Sequence, residues 1–206
     1  MFLPLFFCLT NIKIETARWH EIQDIYLHFV YYVAFQIQYL VVLNLAGNRI
    51  TTIDEAAFCC LPNLFNLDLS NNPLKGFDPN TFNGVRNHLQ VLNLFFQKLV
   101  FHVYIPRESM YNTIDRIMIL QTLNMANTSQ TLLPSLQLPR LKEFNISGNH
   151  LTFVPPNTLS NLSEVRVLDL SLNELPAPPS NAWHSMHHLR VLRMGGNPIT
   201  KVWLTI

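Results

Sequence analysis

Three histidines, His184, His187 and His188, are the most obvious candidates for metal chemistry in this 206-residue chain. His184 and His188 stand four residues apart, which would place both imidazoles on one face of a helix and within reach of one metal ion. No cysteine or carboxylate accompanies them between residues 180 and 192. We therefore expect ordinary surface histidines, with no metal and no cofactor.

Motifs of catalysis are absent from the sequence, which has no Gly-x-Ser-x-Gly elbow, no glycine-rich phosphate loop and no His-Glu-x-x-His pair. Three cysteines, two of them adjacent (Cys59 and Cys60), cannot build a disulfide framework or a Cys-x-x-Cys metal site. The 14 Lys and Arg residues nearly balance 13 Asp and Glu, which leaves no electrostatic footprint for nucleic acid. The sequence predicts neither an enzyme nor a nucleic-acid-binding protein.

A repeated pattern of apolar residues runs along the chain and predicts the framework that would hold a binding surface. The row reads Leu-x-x-Leu-x-Leu-x-x-Asn-x-Leu, and its units begin at Leu40, Leu64, Leu89, Leu120, Leu141, Val165 and Leu189. Each Leu-x-Leu pair predicts a short strand with one buried face, because side chains alternate along a strand. Seven such units in register predict a stacked solenoid with one shared core.

The asparagine of each unit predicts a second regular feature. Three residues after the last strand leucine, its amide can turn inward and bond backbone groups that a tight turn leaves unpaired. We expect a structural ladder of Asn48, Asn72, Asn149, Asn173 and Asn197. Gln97 and Thr128 occupy the ladder position in units three and four, which predicts strain or bridging water there.

The repeat resembles the leucine-rich repeat in the 24-residue form of extracellular animal proteins such as Toll-type receptors, Slit and chaoptin. This resemblance covers residues 40–206 and implies an α/β solenoid, a horseshoe with a concave parallel β-sheet and an irregular or 3-10 convex side. The spacing and the sequences at 181–184 and 196–200 are most similar to chaoptin-type arrays, which implies cell adhesion. A Toll-type innate-immune receptor ectodomain and an intracellular scaffold are the alternatives.

The two ends of the chain depart from the pattern. Residues 1–39 form an irregular segment, interpreted as a weak signal peptide beginning with the apolar residues 1–10 or as a degenerate first unit; a membrane span over residues 25–45 is less favoured. No cysteine-rich cap is recognisable, so we expect residues 40–206 to be an uncapped and truncated array of about seven units, with membrane attachment outside it. The extra residues Val103 to Arg116 are expected to loop out between units three and four.

The concave strand positions are the predicted contact surface for a protein partner, homophilic or heterophilic. Phe95 and Phe96 are the expected anchor, because large rings stand where other units carry small residues; the alternative is that Phe96 fills a gap in unit three. The full predicted set is Asp68, Asn93, Phe95, Phe96, Asn124, Glu143, Asp169 and Arg193.

Three Asn-x-Ser sequons, at Asn127, Asn145 and Asn161, predict glycosylation and an extracellular or cell-surface protein. Asn145 stands between two core residues and should face the concave side. A glycan there would direct a partner to a lateral edge or to units one to three.

Overall fold

A stack of short parallel strands is the framework of the computed structural model, which describes residues 38–51, 53, 57–74, 77–95, 113–133, 135–155, 158–179 and 186–201. Seven strands lie in these ranges: β1 Val42–Asn44, β2 Asn66–Asp68, β3 Val91–Asn93, β4 Thr122–Asn124, β5 Glu143–Asn145, β6 Val167–Asp169 and β7 Val191–Arg193. They pair in chain order as one parallel sheet. The fold is therefore the predicted leucine-rich-repeat solenoid with its parallel sheet.

The register of the sheet follows the apolar repeat without a slip. The central residue of each strand faces its equivalent in the next, as in Leu43 with Leu67 and Leu123 with Phe144. The central residues of β2 to β6 are almost completely buried. Since a one-residue slip would turn these side chains to solvent, burial fixes the register.

The convex side closes each unit with tight turns. Hydrogen bonds of the i to i+3 type join Leu61 O to Leu64 N–H and Phe82 O to Val85 N–H, which is the pattern of 3-10 turns. Apolar residues of these turns are buried against the sheet, including Phe58, Phe82, Leu159, Leu162 and Met186. Phe58 and Phe82 of adjacent units stack with ring centroids 5.9 Å apart, so the convex side continues the core from unit to unit.

The interpretation of the insertion between units three and four needs a correction. Thr113 and Ile114 are buried, and Asp115 accepts a hydrogen bond from the N–H of Gln137 at 2.9 Å. Arg116 donates to the side-chain oxygen of Asn80 at 3.1 Å. Residues 113–116 therefore pack against neighbouring units, because Ile114 and Ile117 bury their side chains, and they do not loop out.

Several predictions of the sequence concern residues outside the described ranges: the segment 1–37, Phe96 and Gln97, residues 103–112, and His184. No helix in the part of the chain that the structure describes is both long and apolar enough to cross a membrane.

Candidate recognition surface

Two rows of side chains flank the buried leucines on the concave face, because neighbouring strand residues point to opposite faces. The front row holds the first residue of every strand: Val42, Asn66, Val91, Thr122, Glu143, Val167 and Val191. The Asx row, named for its Asp and Asn residues, holds the third: Asn44, Asp68, Asn93, Asn124, Asn145, Asp169 and Arg193. Strand pairing aligns both rows across the whole sheet.

Six members of the Asx row hydrogen-bond to their own backbone. The side-chain oxygen of Asp68 accepts from the N–H of Ser70 at 2.9 Å, and that of Asn124 accepts from Ala126 at 3.1 Å. The same i to i+2 bond occurs at Asn44, Asn93, Asn145 and Asp169. These bonds are Asx turns, in which a short side chain satisfies an N–H where the strand ends.

These turns reduce the hydrogen-bonding capacity that four predicted partner-binding residues can offer a partner: Asp68, Asn93, Asn124 and Asp169. One oxygen of each already accepts a backbone hydrogen bond, so the second carboxylate oxygen or the amide nitrogen is the group most open to another molecule. The sequence carried a signal for this feature, since Asp or Asn occupies the position in six successive units.

Two further predicted residues lie on the same face without such a turn. Glu143 is an exposed member of the front row. Arg193 replaces the Asx residue in the seventh unit, and its guanidinium lies 3.9 Å from the carboxylate of Asp169. Because Arg193 is largely exposed, this ion pair contributes little to stability.

Phe95 is half-buried just beyond β3. Its N–H donates to the side-chain oxygen of Asn93 at 3.2 Å, and its carbonyl accepts from Asn71 at 2.6 Å. In the other units the same repeat position holds Ala46, Ser70, Ala126, Ser147, Ser171 and Gly195. Phe95 is therefore the one large side chain in a row of small ones.

The asparagine ladder lies at the end of the strands, beneath this surface. Asn72, Asn149 and Asn173 are buried, whereas Asn48 and Asn197 in the terminal described units are partly exposed. The amide of Asn72 donates to the carbonyl oxygens of Leu69, at 2.9 Å, and of Leu45 in the preceding unit, at 2.8 Å. Asn149, Asn173 and Asn197 likewise donate to a carbonyl of their own unit and one of the preceding unit.

Unit four replaces the ladder asparagine with side-chain bonds from Thr128 and Gln130. The hydroxyl of Thr128 donates to the carbonyl of Met125 at 2.8 Å, the same i to i−3 bond that the asparagines make. The amide of Gln130 donates to the carbonyl of Thr128 at 3.0 Å, and both side chains are buried. Side-chain bonds satisfy these carbonyls at Thr128. The backbone beside it is strained, because Ser129 adopts a left-handed φ of 57°.

In the six units where it is described, the residue before the ladder position has a left-handed backbone, which the repeat pattern did not predict. Gly47, Gly148 and Gly196 have φ of 70°, 65° and 75°, and Asn71 and Asn127 both have 55°. Leu172 occupies the same position in unit six, with φ of 55° and a side chain that is 65% exposed. Glycine and asparagine adopt this conformation readily, but leucine does so at a cost.

The three sequons occupy different environments. Asn145 lies in the Asx row, Asn127 lies in a turn with its side chain directed at Gly148, and Asn161 contacts the hydroxyl of Ser135 at 3.5 Å on the convex side. All three side chains are partly exposed.

The histidine segment is only partly described. His187 is exposed, and the Nδ1 of His188 lies 3.1 Å from the carbonyl of Ser163 and 4.0 Å from a carboxylate oxygen of Glu164. Within the described residues, no three His, Cys, Asp or Glu side chains meet in a way that could hold a metal ion.

A parallel sheet with one strand per turn and a ladder of buried amides defines a solenoid built from leucine-rich repeats. The model of the leucine-rich repeat family matches residues 26–74 and 139–199, just over half of the chain. The chain therefore belongs to the leucine-rich repeat family, as its repeat predicted.

Its relatives include extracellular repeat proteins. Over 161 residues the chain is 32% identical to chaoptin of Drosophila melanogaster, a match that covers 78% of this chain and 10% of chaoptin. The crystal structure of human trophoblast glycoprotein superimposes with a TM-score of 0.61 at 27% identity, covering 77% of this chain and 61% of that one. The sequence thus spans only about a tenth of chaoptin. The sequence similarity to chaoptin that the repeat predicted is confirmed.

A third match supports the fold alone. A chain of the Drosophila Toll–Spatzle complex superimposes with a TM-score of 0.63 at 21% identity, covering 75% of this chain and 20% of that one. At this identity the likeness shows the shared solenoid.

Proposed function

We propose that this chain is part of an extracellular protein that recognises another protein through its concave face, in a cell-adhesion role. One observation carries the proposal: seven strands hold the front row and the Asx row in unbroken register. A surface fixed in this way needs little ordering when it binds, so most of the contact energy is kept as affinity. The likeness to chaoptin supports an adhesion role.

Phe95 is the proposed anchor of the contact. A large, half-buried ring among small neighbours offers a partly accessible apolar group, and aromatic residues often dominate the binding energy of protein interfaces. Phe95 comes two positions after Asn93, which the sheet pairs with Asp68 and Asn124 of the Asx row. These four residues form the proposed centre of the binding surface, which Phe96 is proposed to extend.

A matched pair of substitutions tests this centre. Beads coated with the chain would be presented to cells that bind the unaltered protein, and Phe95→Ser would be compared with Phe153→Ser. Phe153 is 58% exposed on the convex side, so both changes remove a partly accessible ring. The proposal predicts lost binding for Phe95→Ser only, with melting curves showing that both variants are folded. Equal binding by the two folded variants would refute it.

The proposal also places the protein outside the cell. The three sequons, the 32% sequence identity to chaoptin and the fold shared with trophoblast glycoprotein support this location. A glycan on Asn145 would occupy the Asx row at β5. It would leave the partner the lateral edge of the sheet and units one to three, where Phe95 lies. Expression in animal cells followed by glycosidase treatment should lower the mass. An unchanged mass would remove this support and favour an intracellular scaffold.

The proposal contains no catalytic step, because the surface acts by binding alone. A Toll-type receptor ectodomain remains the competing assignment, since a chain of the Toll–Spatzle complex shares the fold. The sequence that flanks this chain in the full protein distinguishes the two. A membrane helix followed by a signalling domain would favour the receptor, whereas a lipid-anchor signal would favour adhesion.

A further inference from the structure

The residue that precedes each strand forms a column along the amino-terminal edge of the sheet. In units five to seven this column holds Lys142, Arg166 and Arg190. Backbone bonds set them side by side: Arg166 N–H donates to the carbonyl of Lys142 at 2.7 Å, and Arg190 N–H donates to that of Arg166 at 2.8 Å. We call these three residues the basic column.

The basic column is a local feature and not a general property of the chain. The same position holds Val41 and Phe65 in the first two units and Gln90 and Gln121 in the next two. The whole chain has a net charge of only +1. Basic residues therefore occupy this column position in the last three units and in none of the first four.

Holding three cations on neighbouring strands is unfavourable for the free protein. Adjacent strands lie about 4.8 Å apart, and like charges directly opposite each other destabilise a sheet. Among the described residues, no carboxylate lies within ion-pair distance of these three side chains. An anionic partner would relieve this repulsion, so the column favours an acidic ligand.

Amide side chains fix one end of the column. The ammonium of Lys142 donates to the side-chain oxygen of Gln121 at 2.7 Å, and the Gln121 amide in turn donates to Gln90. Lys142 is thereby drawn toward unit four, whereas Arg166 and Arg190 remain exposed. Two exposed guanidinium groups on adjacent strands can each take a carboxylate with two parallel hydrogen bonds.

The surroundings favour an acidic protein segment over a sulfated polysaccharide. Exposed Glu143 follows Lys142 directly, and it would repel a uniformly charged polyanion. Val167, beside Arg166 in the front row, offers a partly exposed apolar contact. A surface of mixed acidic, basic and apolar groups is complementary to a protein segment whose acidic side chains alternate with uncharged ones.

We propose that Lys142, Arg166 and Arg190 form a docking edge for an extended acidic segment of the protein partner. The inference rests on the proposed recognition function and adds the partner's chemistry to it. The segment would cross β5 to β7, with its carboxylates paired to the two arginines and its intervening side chains on Val167.

Fluorescence anisotropy with a labelled peptide of alternating Glu and Thr tests the docking edge. The same peptide with Gln in place of Glu is the control ligand. The double variant Arg166→Gln/Arg190→Gln is compared with Arg86→Gln, an exposed arginine on the convex side. We expect salt-sensitive binding of the Glu peptide, weakened about tenfold by the double variant and unchanged by Arg86→Gln. Melting curves establish that every variant is folded.

Three outcomes would overturn the docking edge: equal binding of both peptides, equal loss with Arg86→Gln, or column-dependent binding of a heparin oligosaccharide when the Glu peptide does not bind. The last result would assign the column to a polyanion. None of these results touches the comparison of Phe95→Ser with Phe153→Ser, so the docking edge can fail while the recognition function stands.

Discussion

The side-chain amide of Asn173 donates a hydrogen bond to the carbonyl oxygen of Ile146, 3.1 Å away in the preceding unit. It also donates to Leu170 of its own unit, and its oxygen accepts from the N–H of Leu151, both at 3.1 Å. One buried side chain therefore links two consecutive turns of the solenoid. The concave surface is rigid because such links recur from unit to unit.

Replacing Asn173 with alanine should lower the free energy of unfolding by about 1 to 3 kcal/mol, because buried backbone groups lose their partner. Asn87→Ala is the control, since Asn87 is exposed in a convex turn. Chemical denaturation measures both variants. An Asn173→Ala curve that overlays the unaltered protein would contradict the role of the amide as a link between units.

Gly84→Ala should destabilise the chain by about 1 to 3 kcal/mol through overpacking. A Cβ at Gly84 would lie 2.5 Å from the Cα of Cys59 in the preceding convex turn, and backbone atoms cannot easily withdraw. At Gly195, by contrast, an added Cβ meets nothing within 4 Å, so Gly195→Ala should have little effect. Equal melting temperatures for the two variants would show that the convex turns do not pack this closely.

Leu172→Asn should stabilise the chain by up to about 1 kcal/mol, because asparagine tolerates the left-handed backbone better than leucine. Asn71 and Asn127 already occupy this repeat position with the same φ of 55°. Leu172→Ala keeps a Cβ and should not show this gain. If alanine stabilises as much as asparagine, the exposed leucine side chain and not the backbone is the source of the cost.

Asp115→Asn should make the protein more stable at neutral pH. Burial raises the pKa of the Asp115 carboxyl, an effect that the hydrogen bond from Gln137 partly opposes. A raised folded-state pKa means that the carboxyl favours folding when protonated, and that this contribution is lost as the pH rises from the unfolded pKa through the folded pKa. Asparagine keeps the accepting oxygen without the charge.

Denaturation curves between acid and neutral pH check this prediction. The advantage of Asp115→Asn should shrink as the pH falls through the raised pKa of the folded state, and it should be gone below about 4, where the carboxyl is protonated in the unfolded chain as well. Asp78→Asn is the control, because Asp78 accepts a similar backbone bond from Asn80 at 2.8 Å but is exposed. A pH-independent difference between Asp115→Asn and the unaltered protein would contradict the raised pKa.

The sequence predicts the sheet and its register because both depend on a simple period. Burial of Leu67, Leu92 and Leu123 requires only that side chains alternate and that units repeat. The inward position of Asn72 follows from its offset to the strand leucines in the same way. Where each unit repeats the one before it, period and composition are sufficient to predict which side chains are buried.

Features that depend on local turn geometry or on distant units were not predicted. The Asx turns at Asp68 and Asn124 join residues two apart, and a polar residue on a concave face is equally consistent with simple solvation. The spacing of units alone places Ile114 in an inserted loop, although its side chain is buried. Arg166 and Arg190 become neighbours only when two units stack.

The central claim is that a protein partner binds the concave face, and photo-crosslinking on cells tests it most directly. A benzophenone side chain would replace Glu143 on the concave front row or Asn87 on a convex turn, both of which are exposed. The account predicts a protein adduct on partner-bearing cells from position 143, none from position 87, and loss of the first adduct when excess unlabelled chain competes. Equal adducts from both positions, or an adduct from position 87 alone, would contradict recognition through the concave face.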